Sequence, residues 1–289
     1  MIHEIQAKVM LSHIRQPDPW FGLKYNMNLY RGCQHQCIYC DSRSECYGIE
    51  NFKDVLVKVN AIDLLRRELP RKRVKGTIGF GSMSDTYGPV ERQYHLTGRA
   101  LEVIAEYGFP VHIITKSDLV LKDIDTLCAI NRVQAVISFT ITTADDDLAR
   151  KLEPGAPSPA RRLKALAALS ARGIQTGITL MPVLPMIEDS EENITQIVRL
   201  AHEHGARYVL ASFGMTLRDR QRTYYYDQLD RHFPGLRARY EQRFGDRHSC
   251  AADHAGRLRA RFDDLCAQYG LAQQIDHWQA EQYQQKPLF

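Results

Sequence analysis

The chain has 289 residues, 44% of them hydrophobic and 25% charged. These are ordinary values for a folded protein, and the length allows one large domain with a substantial core. A net charge of +4 is too small to imply nucleic-acid binding by itself. No run of about eighteen apolar residues occurs, and residues 1–16 lack the basic-then-apolar order of a signal peptide. A cytoplasmic protein with no membrane segment is therefore expected. Seven cysteines are too sparse for a disulfide framework, and the odd count suits a reducing compartment.

From Tyr25 the sequence alternates short β-branched runs with longer helical patterns, the signature of repeated βα units. The runs lie at 27–30, 77–80, 111–115, 135–140, 175–181 and 207–213. Amphipathic stretches at 61–69, 97–107, 124–130, 159–171 and 191–204 separate them, with apolar residues three and four apart. Gly108, Gly173 and Gly205 follow helical stretches as stops, and Ser190 begins one. Six such units predict a parallel sheet covered by helices, closed into a partial barrel or opened into a doubly wound sheet. In both cases ligands collect at the carboxyl ends of the strands. After 213 the pattern turns helical and polar, so the expected division is an N-terminal segment 1–24, a barrel 25–215 and a helical extension 216–289.

Three of the seven cysteines fall in one loop directly after the first strand, Cys33, Cys37 and Cys40, spaced C-x3-C-x2-C. Electron-transfer [4Fe–4S] clusters take four cysteines, so a close set of three leaves one iron open to another ligand. S-adenosylmethionine can chelate such an iron through its amino and carboxylate groups. Gly32 lets the loop turn before the first thiolate, and Tyr39 brings a flat ring beside the cofactor. The competing reading is a zinc knuckle completed by His35 or Cys46. Such a protein would hold nucleic acid through its basic stretches and Tyr224 to Tyr226, without radical chemistry.

Those basic stretches are Arg66, Arg67, Arg71, Lys72, Arg73 and Lys75, and eight arginines between 218 and 247. Solvated helix faces are the ordinary reading and a polyanion surface the alternative. Cys250 and Cys266, near His248 and His254, carry no metal-ligand spacing. Cys46 is a loop thiol that could also serve as a hydrogen donor.

The cysteine loop resembles that of the radical S-adenosylmethionine (SAM) superfamily, with an aromatic residue before the last cysteine. More narrowly, the chain is similar to the spore photoproduct lyase-like family through segments 81–87, 114–117, 138–143, 152–154, 159–163 and 181–185. The resemblance implies a partial (β/α)6 barrel of the TIM type with the cluster at its top. It implies cofactor roles for Tyr39, Ser82, Ser84, Asp85, Lys116, Ser138, Thr140, Arg162 and Pro182. It also implies reductive cleavage of SAM, hydrogen abstraction from a substrate such as DNA or RNA, and an electron donor such as flavodoxin or ferredoxin. Two positions depart from the lyase pattern: Ser82 stands in the segment that carries a hydrogen-donating cysteine, and Asp41 stands where a tyrosine follows the last cluster cysteine. A serine O–H bond is too strong to quench a carbon radical readily. Tyr39 and Cys46 are then the remaining catalytic candidates.

Overall fold

The computed structural model describes residues 1–16 and 19–279. Strand β1 (Ile2–Ile5) and strand β2 (Leu11–His13) come from the segment expected only to precede the barrel. Strand β3 (Tyr25–Met27) begins the barrel, and the short β4 (Tyr30–Arg31) leads into the cysteine loop. Strand β5 (Val55–Lys58) joins β1 in parallel and β4 in antiparallel to make a small side sheet.

Helix α1 (Ala61–Glu68), β6 (Ile78–Phe80), α2 (Glu91–Tyr94), α3 (Leu96–Tyr107), β7 (Val111–Thr115), α4 (Ile124–Ile130) and β8 (Ala135–Thr140) follow. Then come α5 (Asp146–Leu152), α6 (Pro159–Ala171), β9 (Gln175–Leu180), α7 (Glu191–Glu203) and β10 (Tyr208–Ala211). Strands β3, β6, β7, β8, β9 and β10 lie side by side in that order, all parallel, and β2 adds antiparallel at the β3 edge. Every residue of β8 is buried, as a parallel strand between helices and barrel interior requires. Helix α7 turns Ile194, Ile197, Val198 and Ala201 inward, spaced for one face, and Ser190 caps its start by accepting from Asn193 N at 3.1 Å.

The extension is not purely helical. Strand β11 (Gly214–Thr216) pairs antiparallel with β12 (Ser249–Ala251), on either side of α8 (Asp219–His232) and α9 (Leu236–Phe244). Three-residue strands held by pairing between distant segments leave no periodic run to read. Helix α10 (Ala255–Tyr269) packs on α7. The chain after it pairs Ala272 with Tyr208 beside β10, while Phe21 stacks on His112 at 5.2 Å near the start of β7. Among the described residues, both ends of the chain thus pack against the barrel. No helix among them is long and apolar enough to cross a membrane.

Candidate active site

The carboxyl ends of the barrel strands surround a cavity of about 260 Å3. Cys33, Cys37 and Cys40 line it together with Tyr39, from the loop that follows β4. Gly32 sets the loop's course: its φ is +80°, and a Cβ there would meet Asp54 O at 1.9 Å, so no other residue fits. Inside the loop the Gln36 amide donates to Cys33 O at 2.5 Å and Phe52 O at 3.2 Å, and Arg43 donates to Gln36 Oε1 at 3.0 Å. Ile38 N donates to Leu152 O at 2.8 Å. The extension grips the same loop, with the Gln221 amide donating to Tyr39 O at 3.0 Å and Thr216 O at 2.9 Å, and Ser44 Oγ donating to Asp219 at 2.8 Å.

Asp85 organises another wall. It accepts from Thr115 Oγ1 at 2.7 Å, Lys116 N at 2.6 Å and Tyr87 N at 2.9 Å, and His35 Nε2 lies 3.0 Å from it. Burial opposes its charge, but His35 and these donors hold the carboxyl well below the usual range, so it is ionised. Beside it the Lys116 ammonium reaches the cavity. Burial opposes this charge also, yet Cys37 and Glu153 keep it above the ordinary lysine range.

Behind the cavity lies a group of charges in which sequence reasoning singled out only some members. Glu153 pairs with Arg162 at 2.5 Å and with Lys116 Nζ at 3.8 Å, and it accepts the Tyr39 hydroxyl. Arg162 and Lys116 hold Glu153 below the usual carboxylate range against the effect of burial. Arg162 also donates to Thr140 O at 2.9 Å and Pro157 O at 2.8 Å. The sign of Glu153 in the sequence was its Leu-Glu-Pro segment alone, and the sign of His35 was only its place between two cysteines.

Of the residues expected at the cofactor, Tyr39, Ser82, Ser84, Asp85, Lys116, Thr140 and Pro182 line the cavity. Ser84 Oγ donates to Tyr30 O at 2.9 Å, and Ser82 Oγ lies 3.0 Å from Asn26 Nδ2. Three other candidates do not line it. Ser138 sits deeper in the barrel, sharing its hydroxyl with His112 Nε2 at 2.7 Å and Tyr208 OH at 2.6 Å. Arg162 is not a lining residue and acts from behind, through Glu153 and Thr140. Cys46 lies outside the cavity, exposed, its Sγ 3.5 Å from Ser44 Oγ. Asp41 and Thr216 do line it, joined by a hydrogen bond of 3.0 Å.

The zinc reading is not favoured by the same geometry. His35 Nδ1 faces Gly155 O at 3.0 Å and Nε2 lies 3.0 Å from Asp85 Oδ2, so both ring nitrogens lie against groups other than the cysteine thiols. Tyr225 and Tyr226 are buried, with Tyr225 and Tyr240 sharing their hydroxyls at 3.0 Å, and Tyr224 carries Arg43 over its ring at 3.6 Å. They form the core of the extension. Cys250 and Cys266 are buried in different clusters.

A βα barrel with three thiols of one loop lining the cavity at its strand ends defines a class of enzymes built around a metal cluster. The family model described as the radical SAM superfamily matches residues 27–200, and the chain belongs to that superfamily and is an enzyme. It is 31% identical over 278 residues to an uncharacterized protein of Mycobacterium tuberculosis (strain ATCC 25618 / H37Rv), covering 93% of this chain and 81% of the relative. A protein of Pseudomonas phage M6 named radical SAM Nalpha-GlyT isomerase is 28% identical over 181 residues, covering 63% of this chain and 37% of the relative. Spore photoproduct lyase complexed with dinucleoside spore photoproduct shares the fold, with a TM-score of 0.70 at 17% identity, covering 93% of this chain and 79% of the lyase.

The superfamily implies SAM and a [4Fe–4S] cluster, and the residues present fit them. Burial pushes the Cys33 thiol up to about 12, with Asp85 and Cys40 adding to the rise, and burial raises Cys37 as well. The fit rests on geometry: the three cysteines of one loop share their cavity with the Lys116 ammonium and the turn at 81–85.

Proposed function

We propose that Cys33, Cys37 and Cys40 hold a [4Fe–4S] cluster, that the cavity beside them holds SAM, and that the enzyme abstracts hydrogen from a nucleic-acid substrate. The observation that carries this reading is the sharing of one cavity by three thiols, the Lys116 ammonium and the Asp85-organised turn. Cys33, Cys37 and Cys40 would hold the cluster, which would supply one-electron reductive cleavage of SAM as the source of the hydrogen-abstracting radical.

The chain's own residues position the cofactor. Lys116 offers its ammonium to the methionine carboxylate, since its contact with Glu153 is loose at 3.8 Å. Asp85 is fully engaged by Thr115, Tyr87, Lys116 N and His35, so it acts by fixing the 81–85 turn. Thr140, its hydroxyl 2.9 Å from that of Thr179, serves the ribose side with Pro182. The Tyr39 ring packs beside the cofactor while its hydroxyl is committed to Glu153. Neither Tyr39 nor Cys46 therefore presents a hydrogen to the cavity, and the radical left on the substrate is quenched from another source.

The nucleic-acid class is supported by the dinucleoside spore photoproduct that the lyase of the same fold is complexed with. The basic stretches do not contribute to it. Residues 66–75 precede β6 and so lie at the end of the barrel away from the cavity, and most arginines from 218 to 247 bind acids or carbonyls of the chain.

Anaerobic reconstitution with iron and sulfide tests the proposal. A reduced cluster whose electron paramagnetic resonance spectrum shifts on adding SAM is expected, with 5′-deoxyadenosine formed, and Cys37→Ala is expected to abolish both. A reconstituted protein without a cluster, or a spectrum indifferent to SAM, would overturn it.

A further inference from the structure

Arg43 is a buried cation with no acid beside it. The residue is 7% exposed, and among the described residues no carboxylate pairs with its guanidinium. Asp41, the acid two residues before it, turns instead to Tyr47 OH at 2.8 Å and Thr216 Oγ1 at 3.0 Å. The guanidinium Cζ lies over two rings, 4.3 Å from the Phe52 centroid and 3.6 Å from that of Tyr224. A flat guanidinium stacks on such rings as an ammonium cannot. Tyr224 belongs to α8, so the extension supplies one of the two rings.

The same residue reaches the backbone of all three cluster cysteines. Its Nε lies 3.5 Å from Cys37 O, and its Nη2 donates to Gln36 Oε1 at 3.0 Å, while the Gln36 amide donates to Cys33 O. Arg43 N donates to Cys40 O at 3.2 Å. Burial works against the charge of the guanidinium, and the Tyr224 hydroxyl with the thiols of Cys40, Cys37 and Cys33 works for it. A charge out of water is tolerated only beside an opposite one. With Asp41 turned away, the sulfurs of the three cysteines are the anions that this loop can offer.

We propose that Arg43 is a positioning residue for cluster reduction: its guanidinium is the counter-charge of the thiolate-bound cluster and makes the electron easier to accept. The inference rests on the proposed function. Three thiolates on a 2+ core carry one net negative charge, and a low-potential one-electron donor raises this to two, with no bond broken and no proton moved. A fixed cation shielded from water by Phe52 and Tyr224 favours the more negative state, since its attraction grows with that charge and is weakly damped away from solvent. Arg43 is not among the residues that line the cavity, so it acts without touching SAM.

The test uses the full chain reconstituted with iron and sulfide. The midpoint potential is read by dithionite titration with redox mediators, followed by electron paramagnetic resonance in the absence of SAM. Arg43→Gln is expected to lower the equilibrium constant for one-electron reduction roughly tenfold, a fall of about 59 mV, at wild-type iron and sulfide content. Arg43→Lys keeps the charge and is expected to recover part of that loss. Tyr224→Ala leaves the cysteine loop unaltered and lets water reach the guanidinium, so a smaller shift in the same direction, dependent on ionic strength, is expected. This variant carries the test if Arg43→Gln takes up no cluster. An unchanged potential in Arg43→Gln, a loss in Arg43→Lys as large as in Arg43→Gln, or an unchanged potential in Tyr224→Ala where Arg43→Gln takes up no cluster would each overturn the proposal. A wild-type protein that forms no cluster, or whose cluster is indifferent to SAM, would instead mark failure of the proposed function.

Discussion

Two regions concentrate charge and use it in opposite ways. Around Glu153, buried and half-buried side chains from distant parts of the chain share one carboxylate: Arg162 at 1% exposure, Lys116 at 18%, and Tyr39. Between 218 and 247 the arginines work mostly singly at the surface. Arg220 donates to Arg43 O at 2.8 Å and Ile49 O at 2.6 Å, and Arg222 to Leu217 O at 3.0 Å and Arg247 O at 2.8 Å. Arg237 pairs with Asp230 at 2.9 Å and Glu241 at 2.8 Å. A count of charges makes the second region the more prominent. Burial makes the first the more consequential, because a charge out of water must keep its partner, whereas an exposed one can exchange it for solvent.

Glu153→Gln should break the buried group most severely, since it leaves Arg162 and Lys116 facing each other without the carboxylate. A loss of about 3–5 kcal/mol, read from the urea midpoint, is expected. A loss as small as that of a surface change would refute the contrast.

Glu188 sharpens the same point through pH. It is fully buried, one oxygen accepts from Leu184 N at 3.1 Å, and burial, opposed by the Thr142 side chain and the Leu184 N–H, raises its carboxyl to about 8 from an ordinary 4.5. The folded chain then binds a proton that the unfolded chain releases between those values. Stability should fall as pH rises from about 4.5 to about 8, and Glu188→Gln should flatten this component. Thermal unfolding followed across that window decides it, and an unaltered slope in the variant would refute it.

The smallest effect is expected at Arg237. Despite its two close acids it is exposed, so Arg237→Ala should leave the melting temperature within experimental scatter at physiological salt. A clear drop would mean that the surface network carries more than its exposure suggests.

Much of the barrel was legible because it is written locally. The six β-branched runs each became a parallel strand within a residue or three, and α4 and α6 coincide with their apolar periodicity. Strands β1, β5, β11 and β12 were not legible, since each is short and exists by pairing with a remote segment. Ser138 and Thr140 show the limit within a well-read strand. Alternation puts both on one face, but two residues of rise separate them, and the depth of the cavity floor depends on how neighbouring strands are staggered. Thr140 lines the cavity, while Ser138 belongs to the His112–Tyr208 cluster beneath it.

By itself the sequence determined the spacing of Cys33, Cys37 and Cys40, their place after the first barrel strand, and the βα order that makes strand ends the site. These follow from neighbours in the chain. Only the tertiary structure decided that His35 serves Asp85 and Gly155 rather than a metal, that Glu153 joins Lys116 to Arg162, and that the extension clamps the cluster loop through Gln221 and Asp219. Each is a contact between segments whose separation in sequence carries no signal, fixed by the geometry of the partial barrel.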